Sequence, residues 1–402
     1  MRNLSKSLTA SLLSCLLVLV LCDWTDAEAE SYPRNASSCE QCHAIPAKFG
    51  STRLTVFRVG RRMAGTFVPG PEGGIQHRQG SSSAVPVTAD QVVGERVSLS
   101  LLGDGYIEAI DDRDLQQNAA EQRRADLGIA GAAVSAPVLE SNPPQTKLEL
   151  EPSAGGPSTV RQSAIGNRKP TMQAGRFGWK SQHSSLLSAC AESLRNELGI
   201  RNRLYSDEYP THNTSGGTAP PTPFDKPDPA DAGPGKTELE RVVEEVRHTA
   251  PPARDEQLAA SMDAQSGEKL FARTGCALCL VTTYKTLPPG TPINSGTYRI
   301  PDFIGNTVIH PYSDFLLHDV GTGDGIPQAA EPEYFDQSTA DIFRTAPLWG
   351  LRFRSWMTHD GKSVTYHQAI MRHGGEASKV REQYEALTPV EKQQVHAFLN
   401  SL

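Results

Sequence analysis

Apolar side chains recur at helical spacing toward the end of this chain. Val395, Phe398 and Leu399 share one face, and residues 388–391 (Thr-Pro-Val-Glu) precede them with an N-cap threonine, a first-turn proline and a capping-box glutamate. Residues 239–246 repeat the spacing and are followed by a pair of prolines, which predicts another helix. A shorter helix is predicted from about residue 365 to 372, with His373 on its apolar face.

The first half of the chain has a different pattern. Apolar segments such as 54–59 and 96–110 alternate with glycine and proline, which predicts loops with short strands. Residues 206–236 contain seven prolines among Gly, Thr and Asp, a composition that predicts a linker or surface insertion. The predicted units are residues 30–205, a linker with a connecting helix over 206–260, and residues 261–402.

The first 29 residues have the features of a secretory signal. Arg2 and Lys6 precede an apolar stretch over residues 8–22, and small residues follow at 27–29, where a signal peptidase would cut. We therefore expect a periplasmic or otherwise exported protein, with a lipoprotein anchor at Cys15 as an alternative.

Composition and charge exclude several classes of partner. The 402 residues allow two or three domains, and 34 Gly with 29 Pro indicate much loop. The formal net charge is −7 and basic residues occur at most in pairs, so neither nucleic acid nor an anionic membrane surface is expected as a partner. No segment after the signal has the length and apolar character of a membrane span.

The remaining cysteines form two C-x-x-C pairs and a single residue. Cys190 lies on the apolar face of a predicted helix and is expected to be a buried thiol. Cys39-Glu40-Gln41-Cys42-His43 matches C-x-x-C-H, in which two thiols form thioethers to haem c and the histidine ligates iron. A disulfide or half of a zinc site is the alternative for this pair.

A second axial ligand for that iron has one nearby candidate. His77 follows the first motif within a glycine-rich segment, residues 73–80, whose small residues would let the backbone approach a flat cofactor. The alternative is an ordinary exposed loop histidine.

The second pair departs from the haem motif. Cys276-Ala277-Leu278-Cys279 is followed by Leu280, and leucine cannot ligate iron. Cys276 and Cys279 could form a disulfide, remain a dithiol, or anchor haem in an unusual way. A zinc site shared with Cys39 and Cys42 is disfavoured, because it would need all four thiolates.

Several longer segments resemble one known family, the di-haem cytochrome c peroxidase-like oxidoreductases, also called thiol oxidoreductase-like. The segments that carry the resemblance are residues 35–43, 74–80, 103–110, 175–180, 310–319, 344–351, 359–362 and 373–377. The resemblance implies a mainly α protein with two cytochrome c-like domains, loop-rich insertions and short strands. It also implies one haem in each domain, with His43 as the proximal ligand of the first. His373 matches the distal ligand position of the second haem.

The resemblance implies a peroxidase-like oxidoreductase that reduces peroxide or a similar oxidant with electrons from a small redox protein. Glu108 is the candidate acid–base carboxylate, with a surface position beside neighbouring aspartates as the alternative. Trp179 could relay electrons or simply pack in the core. His318 and Asp319 could serve a metal, with hydrogen bonding as the default role.

Because of Leu280, a second function stays open. A mono-haem electron-transfer cytochrome with a degenerate second site is the alternative to the enzyme, and a haem-free protein with a thiol–disulfide pair is a third.

Overall fold

A computed structural model of the protein describes residues 38–53, 55–63, 66–69, 75–76, 91–124, 129–138, 145–151, 159–165, 171–205, 236–329 and 336–402. The predicted signal segment, the proline-rich segment up to residue 235 and His77 lie outside these residues. Within the described ranges, every helix is too short or too polar to cross a membrane.

Short helices, most of them with side-chain caps, make up much of the described chain. Thr388 forms a capping box and Pro389 opens the last helix, as the sequence predicts. Thr237 forms a second capping box, which the sequence analysis did not predict. The helix predicted near residue 365 begins after an N-cap at Thr365. The helices are α1 (Asp104–Glu108), α2 (Asp112–Arg124), α3 (Leu186–Leu198), α4 (Glu238–Arg247), α5 (Glu256–Ala259), α6 (Met262–Arg273), α7 (Tyr366–Met371), α8 (Ser378–Glu385) and α9 (Pro389–Leu399).

The strands are short and antiparallel. β1 is the centre of a four-stranded sheet in which it pairs with β2, β3 and β4, and in the β1–β4 register Thr55 faces Val97. Further two-stranded ladders join β5 to β8, β6 to β7, β9 to β12, β10 to β11 and β13 to β14. The strands are β1 (Thr55–Met63), β2 (Thr66–Pro69), β3 (Ile75–Gln76), β4 (Gln91–Val97), β5 (Ser135–Pro137), β6 (Gln145–Glu151), β7 (Thr159–Ile165), β8 (Met172–Ala174), β9 (Tyr284–Lys285), β10 (Pro292–Ile293), β11 (Tyr298–Arg299), β12 (Val308–Ile309), β13 (Leu317–His318) and β14 (Phe343–Arg344).

The observed strands change the fold class that the sequence analysis expected. The prediction of many loops and short strands is confirmed, but the fold is not clearly mainly α, and it does not establish two cytochrome c-like domains. The physical reason is visible in β1 and β4, which contain several β-branched residues and pair at seven positions from Thr55 to Arg61. The segment predicted as one apolar stretch over residues 96–110 is divided between the end of β4 and α1.

Two hydrophobic cores position the cysteine pairs. The larger core is built on α1, α2, α3 and α4 and includes Cys190, a buried thiol as predicted. The smaller core joins α6 and α9 around Phe271, Phe398 and Tyr384. The two helices approach closely at Gly267, where a Cβ atom would lie only 1.9 Å from the carbonyl oxygen of Gln394. This packing holds the end of α6, from which the second cysteine pair follows.

Candidate functional site

The first cysteine pair lies in a tight 3₁₀ turn, Cys39–Gln41. The amides of Cys42 and His43 both donate to the carbonyl oxygen of Cys39, at 3.1 and 2.8 Å. A side chain from the end of β4 also supports the turn, because the Ser98 hydroxyl donates to the carbonyl oxygen of Cys42 at 2.5 Å. The turn therefore presents two thiols and an imidazole from five consecutive residues, as haem c attachment requires.

The His43 ring is oriented by the backbone carbonyl of Gly50. Nδ1 lies 3.1 Å from the carbonyl oxygen of Gly50. Burial lowers the pKa of His43, against the opposing effect of the Gly50 and Leu99 carbonyls, so the ring is neutral at physiological pH. A neutral imidazole with one nitrogen held by a carbonyl is the usual state of a metal-ligating histidine. The residues at this turn fit a c-type haem.

The second cysteine pair has the same backbone geometry. A 3₁₀ turn over Cys276–Leu278 follows Gly275, which adopts a left-handed conformation with φ of 86°. The amide of Leu280 donates to the carbonyl oxygen of Cys276 at 3.1 Å, as the amide of His43 does to Cys39 in the first turn. Leu280 therefore lies at the position that His43 has in the first motif. The main chain of a haem-binding turn is retained there without its ligand.

A largely apolar cavity of about 280 Å³ lies against this second turn. Cys276, Cys279 and Leu280 contribute to one wall, and the cavity extends to Ser98 and Leu99 beside the first turn. Histidine and aromatic side chains also line it, namely Trp179, Phe271, His318, Phe343, Trp356, His359, Tyr366 and His373. The structure thus places the second cysteine turn and His373 on one cavity, which reaches Ser98 and Leu99 but is not lined by Cys39, Cys42 or His43.

His373 meets the requirements of an axial ligand in this cavity. It follows α7, and its Nδ1 lies 2.8 Å from the carbonyl oxygen of Ala369. Burial lowers its pKa more than the neighbouring carbonyls raise it, so the ring is neutral. The bond at Nδ1 leaves Nε2 as the ligand atom, the arrangement expected of a metal-bound histidine. Cys276, Cys279 and His373 therefore fit a second haem, except that Leu280 provides no iron ligand.

An aromatic cluster forms another part of the cavity wall. His359 stacks on Phe343 at a ring separation of 3.8 Å, and Trp179 meets both rings edge-on. Burial lowers the pKa of His359 to about 4, so this ring is a neutral proton acceptor at physiological pH. Trp179 Nε1 donates to the carbonyl oxygen of Val97 at 2.8 Å. Because Ser98 follows Val97, Trp179 is connected to the first cysteine turn.

His318 lies between two carboxylates at the edge of the cavity. Its Nε2 is 2.8 Å from Asp314 Oδ2, and its Nδ1 is 3.0 Å from Glu376 Oε2 and 3.8 Å from Cys279 Sγ. Burial lowers the pKa of His318, but the hydrogen bonds to Asp314, Cys279 and Glu376 raise it overall to about 12. Asp319 is not in this group, since its carboxylate accepts from the amide of Gly321.

Glu108 is buried in α1 and does not line the cavity. Its carboxylate accepts from Arg247 Nε at 2.7 Å, from the amide of Leu186 at 2.8 Å and from Asn294 Nδ2 at 2.9 Å. Burial opposes ionisation, but these donors lower the pKa of Glu108 overall. The surface position considered as its alternative is wrong, because Arg247 reaches it from α4, 139 residues away. The structure gives this carboxylate a cross-linking role between elements.

Sequence reasoning missed Asp314 and Glu376 as members of the site. Asp314 and His318 are four residues apart, a spacing that would have been noticed in a helix, but here they lie in and beside β13. Glu376 comes from a different segment, 58 positions beyond His318. No pattern within one segment could have predicted the contact between Glu376 and His318.

Comparison with known proteins identifies a family and finds weak structural similarity. A family model described as "Di-haem oxidoreductase, putative peroxidase" matches residues 157–402, a range that contains the second cysteine pair and not the first. A structure titled "Kuenenia stuttgartiensis Hydrazine Synthase Pressurized with 20 bar Xenon" is similar with 20% identity and a TM-score of 0.25, over 41% of this chain. The match spans about half, 55%, of that chain, and at this level it carries no conclusion. No curated protein sequence matches.

Proposed function

The chain belongs to the di-haem oxidoreductase family, and on that premise we propose that it is an exported c-type haem oxidoreductase that reduces peroxide. The observation that carries the proposal is the pairing of an intact C-x-x-C-H turn with an apolar cavity that also holds a second cysteine turn and His373. Electrons would come from a small redox protein outside the chain.

Each site residue has a defined task in this proposal. Cys39 and Cys42 would attach the first haem, and His43 would ligate its iron through the nitrogen opposite Gly50. His373 would ligate a second haem in the cavity. Haem, when bound, would supply the iron at which peroxide is reduced with the electrons of the redox partner. The largely apolar walls of the cavity would limit the access of water to an iron held by His373.

Proton transfer in the cavity needs a group other than Glu108. Reduction of hydrogen peroxide to two waters consumes two electrons and two protons, so a side chain that accepts and returns a proton speeds the reaction. His359 lines the cavity and is neutral at physiological pH. We assign His359 this acid–base role. We assign Trp179 the relay of electrons from the first cysteine turn, because its ring meets His359 edge-on and its Nε1 donates to the carbonyl oxygen of Val97.

The proposal is tested on protein matured in cells that attach haem c. Intact mass counts the covalent haems, and stopped-flow absorbance follows oxidation of the reduced haem by hydrogen peroxide. We expect covalent haem on Cys39 and Cys42 and rapid oxidation with two electrons consumed per peroxide. A protein without covalent haem would overturn the proposal. A single haem that peroxide fails to oxidise would instead favour the electron-transfer cytochrome, which the replacement of the ligand by Leu280 also favours.

We expect His359→Gln to lower peroxide turnover by about 10²–10⁴-fold, the usual contribution of a general acid–base group. The amide keeps hydrogen-bonding capacity and much of the volume but cannot take up the proton. Haem content and the absorbance spectrum of the reduced protein serve as checks that the cavity is intact. His310→Gln is the matched control, because His310 is exposed and bonded to Thr283 outside the cavity. Equal turnover in the two variants would remove His359 from the mechanism.

A further inference from the structure

The side chain of Arg344 is buried at the cavity with part of its guanidinium group unpaired. Arg344 lies on β14, lines the cavity and is 6% exposed. Its Nε donates to the carbonyl oxygen of Gly178 at 2.8 Å, and its backbone amide donates to the carbonyl oxygen of Trp179 at 2.8 Å. In the part of the chain that the structure describes, Nη1 has no hydrogen-bond acceptor. The guanidinium is therefore held through Nε and keeps a free donor.

The charge of Arg344 is poorly balanced by the protein. Among the described residues, Asp104 is the carboxyl group whose charge acts on Arg344, but the two side chains form no salt bridge. Burial raises the pKa of Asp104 to about 7, so this carboxyl group is only partly ionised at physiological pH. Burial lowers the pKa of Arg344 to about 10, so its guanidinium stays charged at that pH. A buried cation without a partner costs free energy, which a bound anion would offset.

The cavity as a whole has an excess of positive charge. Within the described ranges it is lined by four arginines and by no aspartate or glutamate. Arg372 is balanced from outside the cavity wall, because Asp360 accepts from it at 2.7 Å. Burial lowers the pKa of Arg354 to about 10 with no opposing carboxylate, and the Nε of Arg381 has no acceptor among the described residues. Arg344 is therefore one of several cations that the protein does not neutralise there.

These features indicate the chemical class of ligand. A guanidinium group is planar and suits carboxylates, to which it donates charge-assisted hydrogen bonds. The cavity wall is otherwise largely apolar, so a molecule with an apolar body and a carboxylate group matches both parts of it. A carboxylate carries a single charge and costs less to remove from water than a dianionic phosphate.

We propose that Nη1 of Arg344 binds a carboxylate group of a ligand in the cavity, with Arg354 as a further cation on the wall. Two sources offer this chemistry, namely a propionate group of haem and a free carboxylate molecule with an apolar body. The first source deepens the proposed function and rests on it, because it requires haem in or beside the cavity. The second source is independent of haem.

The contact itself is tested by a crystal structure of the mature haem protein. We expect a carboxylate oxygen at about 2.7–2.9 Å from Nη1 of Arg344. An oxygen that belongs to a propionate identifies haem as the ligand, and an oxygen of a separate molecule identifies a free carboxylate. An Nη1 atom that is bonded only to water or to other protein atoms would overturn the proposal.

Arg344→Met tests the same contact in solution, because methionine removes the charge and keeps an apolar stem. Spectroelectrochemistry gives the reduction potential of the haem, and calorimetry gives the affinity for acetate as the probe. With a propionate at Arg344, we expect a lower potential in the variant, since the loss of a nearby cation favours ferric haem. With a free-carboxylate site, we expect the affinity for acetate to fall by at least about 10-fold.

Arg299→Met is the matched control. Arg299 is exposed and donates to the carbonyl oxygen of Gly290 outside the cavity, so its loss should change neither quantity. An unchanged potential together with an unchanged acetate affinity in Arg344→Met would contradict the proposal. Arg344→Lys provides a second test if Arg344→Met fails to fold, because it keeps the charge but lacks Nη1 and should also bind acetate more weakly or lose the carboxylate contact in its crystal structure.

Peroxide oxidation and the haem count are measured on the same samples. A protein without covalent haem would fail the proposed function, while the acetate titration would still test the site at Arg344. A protein that reduces peroxide but has no carboxylate at Arg344 would fail this proposal alone.

Discussion

Substitution of histidine for Leu280 is expected to raise the number of covalent haems in the mature protein by one. The amide of Leu280 donates to Cys276 as the amide of His43 donates to Cys39, so the new imidazole would begin from the same backbone position. The cavity beside it is apolar, and His373 lies on its wall with Nδ1 bound to Ala369. The restored motif would therefore meet an apolar cavity and a second histidine placed to ligate iron.

The measurement is intact mass together with the pyridine haemochrome spectrum, which together count covalent haems. Leu280→Asn is the matched control, since it introduces a polar side chain of similar size that does not ligate iron in c-type haem sites. An unchanged count in a folded Leu280→His protein would mean that the second turn has lost its capacity for haem.

Truncation of Glu108 should cost about 3–5 kcal/mol in the free energy of unfolding, the usual effect of breaking a buried ion pair from one side. The side chains of Glu108 and Arg247 are 1% and 13% exposed, so Glu108→Ala leaves the guanidinium buried without its partner. The Leu186 amide and the Asn294 amide group lose their acceptor as well. Urea unfolding of the haem-loaded protein, followed by circular dichroism, gives the value.

Two controls separate this structural role from catalysis. Glu245 lies on α4, the helix that also carries Arg247, and forms a surface ion pair with Lys48 in which both side chains are about half exposed. Glu245→Ala removes this pair and should change the free energy of unfolding by less than about 1 kcal/mol. Glu108→Leu combined with Arg247→Met removes both charges and should recover much of the loss. If Glu108→Ala abolishes peroxide turnover while its unfolding free energy is unchanged, the cross-linking role is wrong and the acid–base role returns.

The structural features that could be predicted from the sequence depend on contacts between near neighbours in the chain. The capping box at Thr388 and the helix start near Thr365 depend on contacts between residues three apart, so both follow from a few neighbouring residues. The C-x-x-C-H turn is equally local, because its thiols and imidazole come from five consecutive residues. The deviation at Leu280 was likewise visible directly in the sequence.

The remaining features depend on contacts between distant segments, which no local pattern encodes. Propensity and periodicity describe neighbours within one element, whereas pairing across a fold is decided by the packing of all elements together. Glu108 was a candidate acid–base group from the sequence, but in the structure its carboxylate is bonded to Arg247. His318 contacts Cys279 and Glu376 because three separate segments of the chain meet there. The sequence by itself determined the C-x-x-C-H turn, the capping box at Thr388 and the departure from the C-x-x-C-H pattern at Leu280. Only the tertiary structure decided that His373 lies on the wall of a cavity with Cys276 and Cys279, because that wall is built by side chains about a hundred residues apart.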